Sequence, residues 1–265
     1  MPTLSIITIN FNDAIGLSKT IESVLSQSFT DYEYIIIDGG STDGSVDVIK
    51  SRTDLLTYWV SEKDAGIYDA MNKGIAAAKG EYCLFLNSGD YLFEKDVLQH
   101  VMAQNPGADI VYGDIMTVRD GVMAGKIVSP DKITSLFLLV NVIVHPAQFI
   151  KRELFLKQGA YSTDYRIGSD YDFFLKLFFS PNFTYLHVPI TISVFDLSGI
   201  SSDPLNQKLN FEERKRIQKT YYPKCIFFLY YAYDAFLHAK VMQNALLATP
   251  LRWINNFVLK LFKAG

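Results

Sequence analysis

Short apolar runs alternate with segments of helical periodicity through the first hundred residues, and this alternation constrains the fold more than any other feature. The apolar runs are bounded by turn residues and have the length of buried strands. Between them apolar residues recur at helical spacing, and Asn12 or Asp13 is the expected cap of the first helix. Strand alternating with helix predicts an α/β fold with a mostly parallel sheet flanked by helices. The predicted strands are Leu4–Ile9, Tyr34–Ile37, Thr57–Val60 and Tyr82–Leu86, and the clearest later helix is Gly66–Ala78.

Acidic residues follow all four predicted strands. Parallel sheets bind ligands at the carboxyl ends of their strands, so these residues are expected to meet at one edge. Carboxylates that lie close together repel one another, and stability alone gives no reason to gather them there. A site for a cation, or for hydrogen-bond donors of a ligand, gives that reason. The four strand ends are Phe11–Asp13, Asp38–Asp43, Glu62–Asp64 and Asn87–Asp90.

Asp38 ends the second predicted strand and precedes Gly39 and Gly40. Its carboxylate can accept from the imide N–H of uracil, thymine or guanine, while two glycines let a ligand approach the backbone. The alternative is an ordinary turn aspartate. Phe11, at the end of the first strand, can stack on the base or belong to the core.

The loop Asn87-Ser88-Gly89-Asp90 follows the fourth predicted strand. A carboxylate at this position can hold Mg²⁺ or Mn²⁺ against a diphosphate and offset its charge as the group departs. The alternative is a turn in which Asp90 caps a following helix. A divalent cation is therefore a predicted cofactor.

Composition and charge exclude several classes of protein. With 49% hydrophobic and 20% charged residues, the 265-residue chain is neither disordered nor a coiled coil. The two cysteines are far apart and predict neither a disulfide framework nor a cysteine metal site. The first residues lack the basic segment and cleavage site of a secretory signal, so a cytoplasmic location is expected. The net charge of −3 conceals an acidic body and a basic tail: residues 1–205 hold 15 Lys and Arg against 25 Asp and Glu, and residues 206–265 hold 10 against 3.

The pattern changes after Asp96. A strand pair is expected around the turn Arg119-Asp120-Gly121, followed by an uncharged stretch at residues 133–150. This stretch is long enough to span a membrane, but polar residues interrupt it, so helix, loop and strand are the predicted elements. A helix and one or two strands follow. The predicted strands of this half are Asp109–Val118, Val122–Val128 and Tyr185–Phe195, and the helix is Asp170–Phe179.

The last sixty residues are basic and aromatic. Lys224–Lys240 is apolar nearly all round, and Leu251–Lys263 places its basic residues opposite a bulky apolar face at helical pitch. That arrangement is typical of a helix lying in a membrane surface, and the alternative is a helix packed on the body. The aromatic residues accompany long aliphatic runs instead of spaced basic residues, so nucleic acid is not a predicted partner.

Four stretches resemble the family 2 inverting glycosyltransferases of the GT-A fold. They are LSIITINFND, SVLSQSFTDYEYIIIDGGSTDGS, DAGIYDAMNKGIAAAKGEYCLFLNSGD and GSDYDFFLKL, and with FDLSGISS, which looks like the family's closing Gly-x-Ser loop, the resemblance runs from residue 4 to 202. The resemblance implies a GT-A (Rossmann-like) domain over residues 1–203, with a nucleotide-binding half at 1–100 and an acceptor half at 101–203. Residues 204–265 then form a helical tail with a possible membrane contact.

The resemblance also implies roles for the donor-side residues. The aromatic ring that stacks on the base falls on Phe11, and the acid that binds the base imide falls on Asp38. The family's acidic triplet falls on Asn87, Gly89 and Asp90, so only the last acid is present. By this resemblance Asp90 ligates the metal, and Asn87 offers a neutral contact to the nucleotide.

The remaining roles lie in the donor pocket and the acceptor half. Many relatives carry Arg-Asn where this chain has Met71-Asn72, so Lys73, or Asp64 with Asn72, is expected to shape the donor pocket instead. The family's catalytic base matches Asp170, and the neighbouring Asp172 is the alternative. A carboxylate at a helix N-terminus is kept ionised, as a base requires. His145 precedes the acceptor half and is expected to contact the diphosphate or the acceptor, with a structural histidine as the alternative. Gly199 and Ser201 match the family's closing Gly-x-Ser loop, which implies contacts to the diphosphate.

Together these features predict an inverting transferase that moves a sugar from a nucleoside-diphosphate sugar to an acceptor hydroxyl. The expected acceptor is a saccharide or lipid-linked saccharide at the inner face of the plasma membrane, in surface polysaccharide synthesis. A sugar-phosphate nucleotidyltransferase and a non-catalytic nucleotide-sugar-binding protein are the alternatives. The first would need a basic glycine-rich loop after the first strand, which NFNDAIG does not provide.

Overall fold

The computed structural model describes residues 2–104 and 106–238, with side chains as far as Tyr231. The predicted alternation of strand and helix is confirmed in the first half. Four parallel strands lie in the order β3-β2-β1-β4, and helices connect them. The elements are β1 Leu4–Asn10, α1 Ala14–Leu25, β2 Tyr32–Asp38, α2 Ser45–Lys50, β3 Tyr58–Ser61, α3 Ile67–Ala77 and β4 Tyr82–Phe85.

The start of α1 shows how the sequence sets these boundaries. Of the two predicted caps the structure selects Asp13, whose side chain accepts from the Gly16 N–H at 2.9 Å. Asn12 precedes it with a φ of +51°, a left-handed conformation that asparagine tolerates better than most residues. The chain therefore turns sharply at the carboxyl end of β1 and brings Phe11 to Asp13 to the sheet edge.

The second half completes one sheet with mixed strand directions. From β4 the order continues β8-β6-β9-β5, and β7 pairs with β6. The predicted strand pair around residues 119–121 is the antiparallel pair β6–β7, and the uncharged stretch at 133–150 is helix, loop and strand as expected. Among the described residues no helix is both long and apolar enough to cross a bilayer. The elements are β5 Tyr91–Leu92, α4 Val97–Met102, β6 Ile110–Arg119, β7 Val122–Ile127, α5 Ser135–Val140, β8 Gln148–Lys151, α6 Arg152–Gln158, α7 Ser169–Phe178 and β9 Tyr185–Asp196.

Two apolar clusters cover the two faces of the sheet. One contains residues of α1, α2 and α4, and the other contains residues of α3, α5, α6 and α7. The strands contribute alternate residues to the two clusters: Ile6 and Ile36 belong to the first, and Ile7 and Ile37 to the second. Burial on both faces explains why the central strands read as continuous apolar runs.

The segment that follows residue 203 begins with a helix that is part of the body. In α8, Gln207–Tyr221, both Ile217 and Gln218 are fully buried, and the Gln218 amide donates to the Leu139 carbonyl at 2.9 Å. The basic helix α8, which follows the boundary predicted at 203, is therefore packed on the preceding residues. The last described helix, α9, spans Lys224–His238. The amphipathic stretch Leu251–Lys263 lies outside the described residues.

Candidate active site

A cleft of about 1000 Å³ opens at the carboxyl edge of the parallel strands. Its walls are the ends of β1 and β4, the start of α3, the loop before α7 and the turn after β9. The fold thus brings together eight of the ten residues predicted for the site, which come from widely separated parts of the sequence. They are Phe11, Asp64, Asn87, Asp90, His145, Asp170, Gly199 and Ser201.

Asp38 lies behind this cleft and has no exposed surface. Its carboxylate accepts from the Asn10 amide at 2.7 Å, from the Ser61 hydroxyl at 2.6 Å, from the Ser41 hydroxyl at 2.6 Å and from two backbone N–H groups, of Gly40 and Ser41. Burial opposes ionisation, but the hydrogen bonds from Ser41, Ser61 and Asn10 outweigh it and lower the pKa of Asp38. The predicted contact of Asp38 with a base does not fit this arrangement, because all five donors are internal and hold the loop.

Asp64 and Phe11 meet beside Gly39, at the cleft wall. A Cβ atom on Gly39 would lie 2.5 Å from Oδ2 of Asp64 and 3.1 Å from Cδ2 of Phe11, so only glycine leaves room for both. Oδ1 of Asp64 accepts from the Gly66 N–H at 2.9 Å, and the Phe11 ring is 64% exposed. An exposed ring next to a carboxylate oxygen can stack on a planar base and accept from its edge.

Asn72 is a second predicted residue that the structure places elsewhere. Its amide nitrogen donates to the Tyr161 carbonyl at 2.8 Å, and its amide oxygen accepts from the Tyr161 N–H at 2.9 Å. Both ends of the side chain are therefore used to tie α3 to the segment after α6. Asn72 supports the fold, and it lies outside the set of described residues that line the cleft.

The loop after β4, which we call the donor loop (residues 87–90), presents unpaired polar atoms. Oδ1 of Asn87 and Oγ of Ser88 are buried and have no hydrogen-bond partner among the described residues. Gly89 adopts a φ of +95°, which favours glycine, and a Cβ there would have carboxylate oxygens of Asp13 and Asp196 within 4 Å. Buried polar atoms without partners are rare, so this loop is suited to receive polar atoms of a ligand.

Asp90 is buried at the base of the donor loop. The carboxylate is 3% exposed and accepts from the Asp196 N–H at 2.9 Å. Burial raises the pKa of Asp90 to about 7, although the nearby His145 acts in the opposite direction. The alternative role as a helix cap does not apply, because α4 begins at Val97 with Asp96 in the cap position.

The acids around the donor loop fit a cation that shares its ligands with a diphosphate. Within residues 2–104 and 106–238, no three His, Cys, Asp or Glu side chains are arranged to hold a metal by themselves. Carboxylate oxygens of Asp13 and Asp196 nevertheless lie beside Gly89, and Asp90 follows Gly89 and accepts from the Asp196 N–H. None of the three has a lysine or arginine ion-pair partner in the described part of the chain. Mg²⁺ is commonly held by one or two carboxylates together with substrate phosphates and water.

Asp170 faces the cleft from the first turn of α7. One oxygen, Oδ1, accepts from the Tyr68 hydroxyl at 3.0 Å and from the Tyr171 N–H at 2.9 Å. The other, Oδ2, lies 3.5 Å from Nδ1 of His145. The alternative base, Asp172, instead accepts from the Tyr221 hydroxyl at 3.1 Å, away from the residues that line the cleft. The geometry therefore favours Asp170 of the two.

The loop before α7 is held by a residue of α8. The Glu213 carboxylate accepts from three consecutive backbone N–H groups, of Arg166 at 2.7 Å, Ile167 at 2.9 Å and Gly168 at 3.0 Å. Sequence reasoning missed Glu213, because α8 was assigned to the tail. It also missed Tyr68, whose hydroxyl contacts both the Ile167 carbonyl and Asp170. The sequence signal for Glu213 was the pair Glu212-Glu213, the acids of a helix whose other charged residues are basic.

Three comparisons with known proteins found sequences and folds similar to those of this chain. Residues 5–158 match the sequence pattern of the family described as Glycosyl transferase family 2. The chain is 33% identical over 209 residues to a PGL/p-HBAD biosynthesis glycosyltransferase of Mycobacterium bovis, covering 76% of this chain and 80% of the relative.

Two solved structures share the fold at low sequence identity. S. aureus TarS in complex with UDP-GlcNAc superposes with a TM-score of 0.60 at 17% identity, covering 73% of this chain and 58% of that one. Mannosyltransferase PcManGT from Pyrobaculum calidifontis, in complex with GDP-Man and Mn²⁺, superposes with a TM-score of 0.57 at 16% identity, covering 99% and 82%. This chain thus spans less than two thirds of the TarS chain.

Proposed function

The chain belongs to Glycosyl transferase family 2 and has the GT-A fold, and on this basis we propose that it is an inverting transferase that uses a nucleoside-diphosphate sugar. The observation that carries the proposal is the placement of Asp170 in one cleft with the donor loop. His145 contacts both, at 3.5 Å from Asp170 and 3.1 Å from Asn87. A base and a leaving-group site are thereby adjacent.

The proposed reaction is a single displacement. Asp170 takes the proton of the acceptor hydroxyl, whose oxygen attacks the anomeric carbon from the face opposite the diphosphate. The new C–O bond forms as the bond to the diphosphate oxygen breaks, and the electron pair leaves with the diphosphate. The configuration at the anomeric carbon is inverted, and no covalent intermediate with the protein is needed.

The donor loop is the proposed site of the diphosphate and of a divalent cation. Asp90, with Asp13 and Asp196 beside it, would hold Mg²⁺ or Mn²⁺, which supplies positive charge opposite the departing diphosphate. The unpaired Oδ1 of Asn87 and Oγ of Ser88 support contacts to the donor at this loop. Gly199 and Ser201, on the turn after β9, also line the cleft and are proposed to contact the diphosphate or the acceptor.

We propose that Asp64 and Phe11, instead of Asp38, bind the nucleobase of the donor. Oδ2 of Asp64 has no hydrogen-bond partner among the described residues, and its place beside the exposed Phe11 ring suits a base with an imide N–H. The donors in the two solved relatives, UDP-GlcNAc and GDP-Man, both carry such a base.

Replacement of Asp64 by asparagine is expected to weaken binding of UDP or GDP by about 10- to 100-fold, because a hydrogen bond to a charged acceptor is lost. Thermal shift measures this: a ligand at about 100 times its Kd stabilises the protein by about 2.7 kcal/mol. The assay compares UDP, TDP, GDP, ADP and CDP, with and without Mn²⁺. Asp164→Asn, at a cleft-lining acid of the acceptor half, is the control and should bind as the wild type does. Equal shifts with ADP and UDP would contradict this base assignment.

A set of nucleoside-diphosphate sugars tests the function itself. UDP-GlcNAc, GDP-mannose and TDP-glucose are incubated with the protein, and release of nucleoside diphosphate is measured. Slow hydrolysis by water is expected from at least the donor that binds most tightly. A chain that binds a donor and releases no nucleoside diphosphate, with or without saccharide acceptors, would be a binding protein instead.

We further propose that the acceptor is a saccharide or lipid-linked saccharide at the inner face of the plasma membrane, in surface polysaccharide synthesis. The support comes from α9, where Phe228 and Leu229 are 72% and 66% exposed on one side, next to the exposed Cys225. Lysines and arginines outnumber acids 10 to 3 in residues 206–265. An exposed apolar helix face with a basic surrounding is drawn to anionic lipid.

The double substitution Phe228→Ser and Leu229→Ser is expected to lower the partition onto vesicles rich in anionic lipid. Two large apolar side chains contribute about 1.5–3 kcal/mol each when fully buried, so a reduction of at least 10-fold is expected. Sedimentation with phosphatidylserine vesicles measures it, with uncharged vesicles as the control. A truncation after Tyr222, which keeps α8, should bind least. Equal sedimentation of all three proteins would contradict the membrane proposal.

A further inference from the structure

His145 lies between Asp170, the proposed catalytic base, and the donor loop. Its Nε2 lies 3.1 Å from Nδ2 of Asn87, and its Nδ1 lies 3.5 Å from Oδ2 of Asp170. The ring is mostly buried and packs edge-on against Phe195, with 6.3 Å between the ring centroids. A single side chain held on three sides therefore connects two parts of the cleft that are 83 residues apart in the sequence.

The two polar contacts select the same form of a neutral imidazole. An amide nitrogen only donates, so with Nδ2 of Asn87 facing the ring, Nε2 must be the acceptor. The ring proton then lies on Nδ1 and points towards the Asp170 carboxylate, which is attractive. The opposite tautomer would set a nitrogen lone pair against a carboxylate and an N–H against an N–H. The partner of one ring nitrogen thus fixes what the other offers.

Asp170 is oriented at both of its oxygens. Oδ1 is held by the Tyr68 hydroxyl and the Tyr171 N–H, and Oδ2 faces His145. At 3.5 Å the contact with His145 is longer than a short hydrogen bond. Catalytic hydrogen bonds are often long without substrate and tighten in the reactive complex. If Asn87 moves when the donor binds, the His145 ring would transmit that movement to Asp170, the proposed catalytic base.

We propose that His145 is a positioning residue that holds the Asp170 carboxylate in a fixed position relative to the donor loop. The proposal rests on the proposed function, in which Asp170 is the base. His145 itself transfers no proton: the proton of the acceptor hydroxyl goes to Asp170, and the imidazole keeps its own proton on Nδ1. Its effect is on the orientation of the carboxylate, and a misplacement of about 1 Å at such a group can cost about 100-fold in rate.

The chain allows the two contacts of His145 to be removed one at a time. In His145→Asn the side-chain amide can donate from the place of Nδ1, towards Asp170, and the contact with Asn87 is lost. In His145→Gln the amide reaches the place of Nε2, and the contact with Asp170 is lost. His145→Ala removes both contacts.

The kinetic test measures kcat and the donor KM of the full chain, with whichever of UDP-GlcNAc, GDP-mannose and TDP-glucose gives the largest thermal shift. We expect His145→Ala and His145→Gln to lower kcat by about 10- to 100-fold, with the donor KM within about threefold of the wild type. His145→Asn should recover only part of kcat, because it keeps the contact with Asp170 and loses the contact with the donor loop. In a protein that already carries Asp170→Asn, the addition of His145→Ala should not lower kcat further, because the effect of His145 acts through Asp170.

The outcomes separate this proposal from the function on which it rests. If Asp170→Asn has the kcat of the wild type, Asp170 is not the catalytic base, and both proposals are wrong. A nearly inactive Asp170→Asn, together with equal kcat in the three His145 variants, would overturn the positioning role alone. An undiminished effect of His145→Ala in the Asp170→Asn background would also overturn it, since that is the result of a merely structural role.

A spectroscopic measurement needs neither activity nor an alanine variant that folds. Nitrogen-15 NMR of the imidazole rings, assigned by the loss of one set of signals in His145→Asn, reports which ring nitrogen carries the proton. We expect the Nδ1–H form for His145 in the protein without donor. A neutral ring protonated at Nε2 would overturn the proposed pair of contacts.

Discussion

Asp170→Asn is expected to lower the rate of sugar transfer by about 10²- to 10⁴-fold, because an amide cannot take up the acceptor proton. The substitution keeps the size of the side chain and its contacts at Oδ1 with Tyr68 and the Tyr171 N–H. Donor affinity should stay within about threefold of the wild type, since no donor contact is assigned to Asp170. Initial rates with the donor selected by thermal shift, together with the Kd of its nucleoside diphosphate, measure both quantities.

Asp172→Asn is the matched control for this prediction. Asp172 lies two positions further along α7, and burial raises its pKa, although the Tyr221 hydroxyl contact acts in the opposite direction. Because its carboxylate lies away from the cleft, near wild-type activity is expected. A reversed result, with Asp172→Asn inactive and Asp170→Asn active, would show that the base had been assigned to the wrong aspartate of the first turn.

Asp38→Asn is expected to destabilise the protein by about 2–5 kcal/mol, without a direct effect on base recognition. Five donors converge on the buried carboxylate, and an amide would place N–H groups against some of them. Urea unfolding with linear extrapolation measures the loss. The loss should shrink as the pH falls: the folded-state pKa of Asp38 is lowered, so its charge stabilises above the ordinary aspartate pKa and ceases to do so as the pH falls through the folded value.

Asp64→Asn completes the comparison, since it should weaken UDP or GDP binding and leave the free energy of unfolding near the wild-type value. Its Oδ1 accepts a single backbone N–H, and Oδ2 is left for the ligand. The two aspartates are thus expected to separate stability from base binding. Full stability of Asp38→Asn with loss of binding to UDP but not ADP would restore Asp38 as the residue that reads the base.

Much of the fold was predictable from the sequence, because its signals are local. The apolar runs LSIITI and YIII became β1 and β2 with small shifts of their ends, and the capping aspartate at position 13 begins α1. A strand that is buried on both faces reads as a continuous apolar run wherever it lies in the sheet. The gathering of acids at the strand ends followed from the same pattern.

Two of the donor-side residues were not predictable in this way. Asp38 and Asn72 lie in the stretches that identify the family, yet their side chains are engaged with Ser41, Ser61 and Tyr161 in the interior. Nothing in the sequence near Asp38 shows that three side chains from three strand ends donate to it. Glu213 shows the converse case, a residue 43 positions beyond Asp170 that holds the loop before its helix.

The sequence by itself determined the α/β architecture, the edge of the sheet where the cleft opens, and the family, because periodicity and strand-end residues depend on short stretches of chain. Only the tertiary structure decided which carboxylates face the cleft: Asp64 instead of Asp38, and Asp170 instead of Asp172. The physical reason is that a side chain's direction, and the donors that meet it, are fixed by contacts between residues that are distant in the sequence. The link from Asn87 through His145 to Asp170 is of the same kind, since it exists only after β4, the turn before β8 and α7 have packed together.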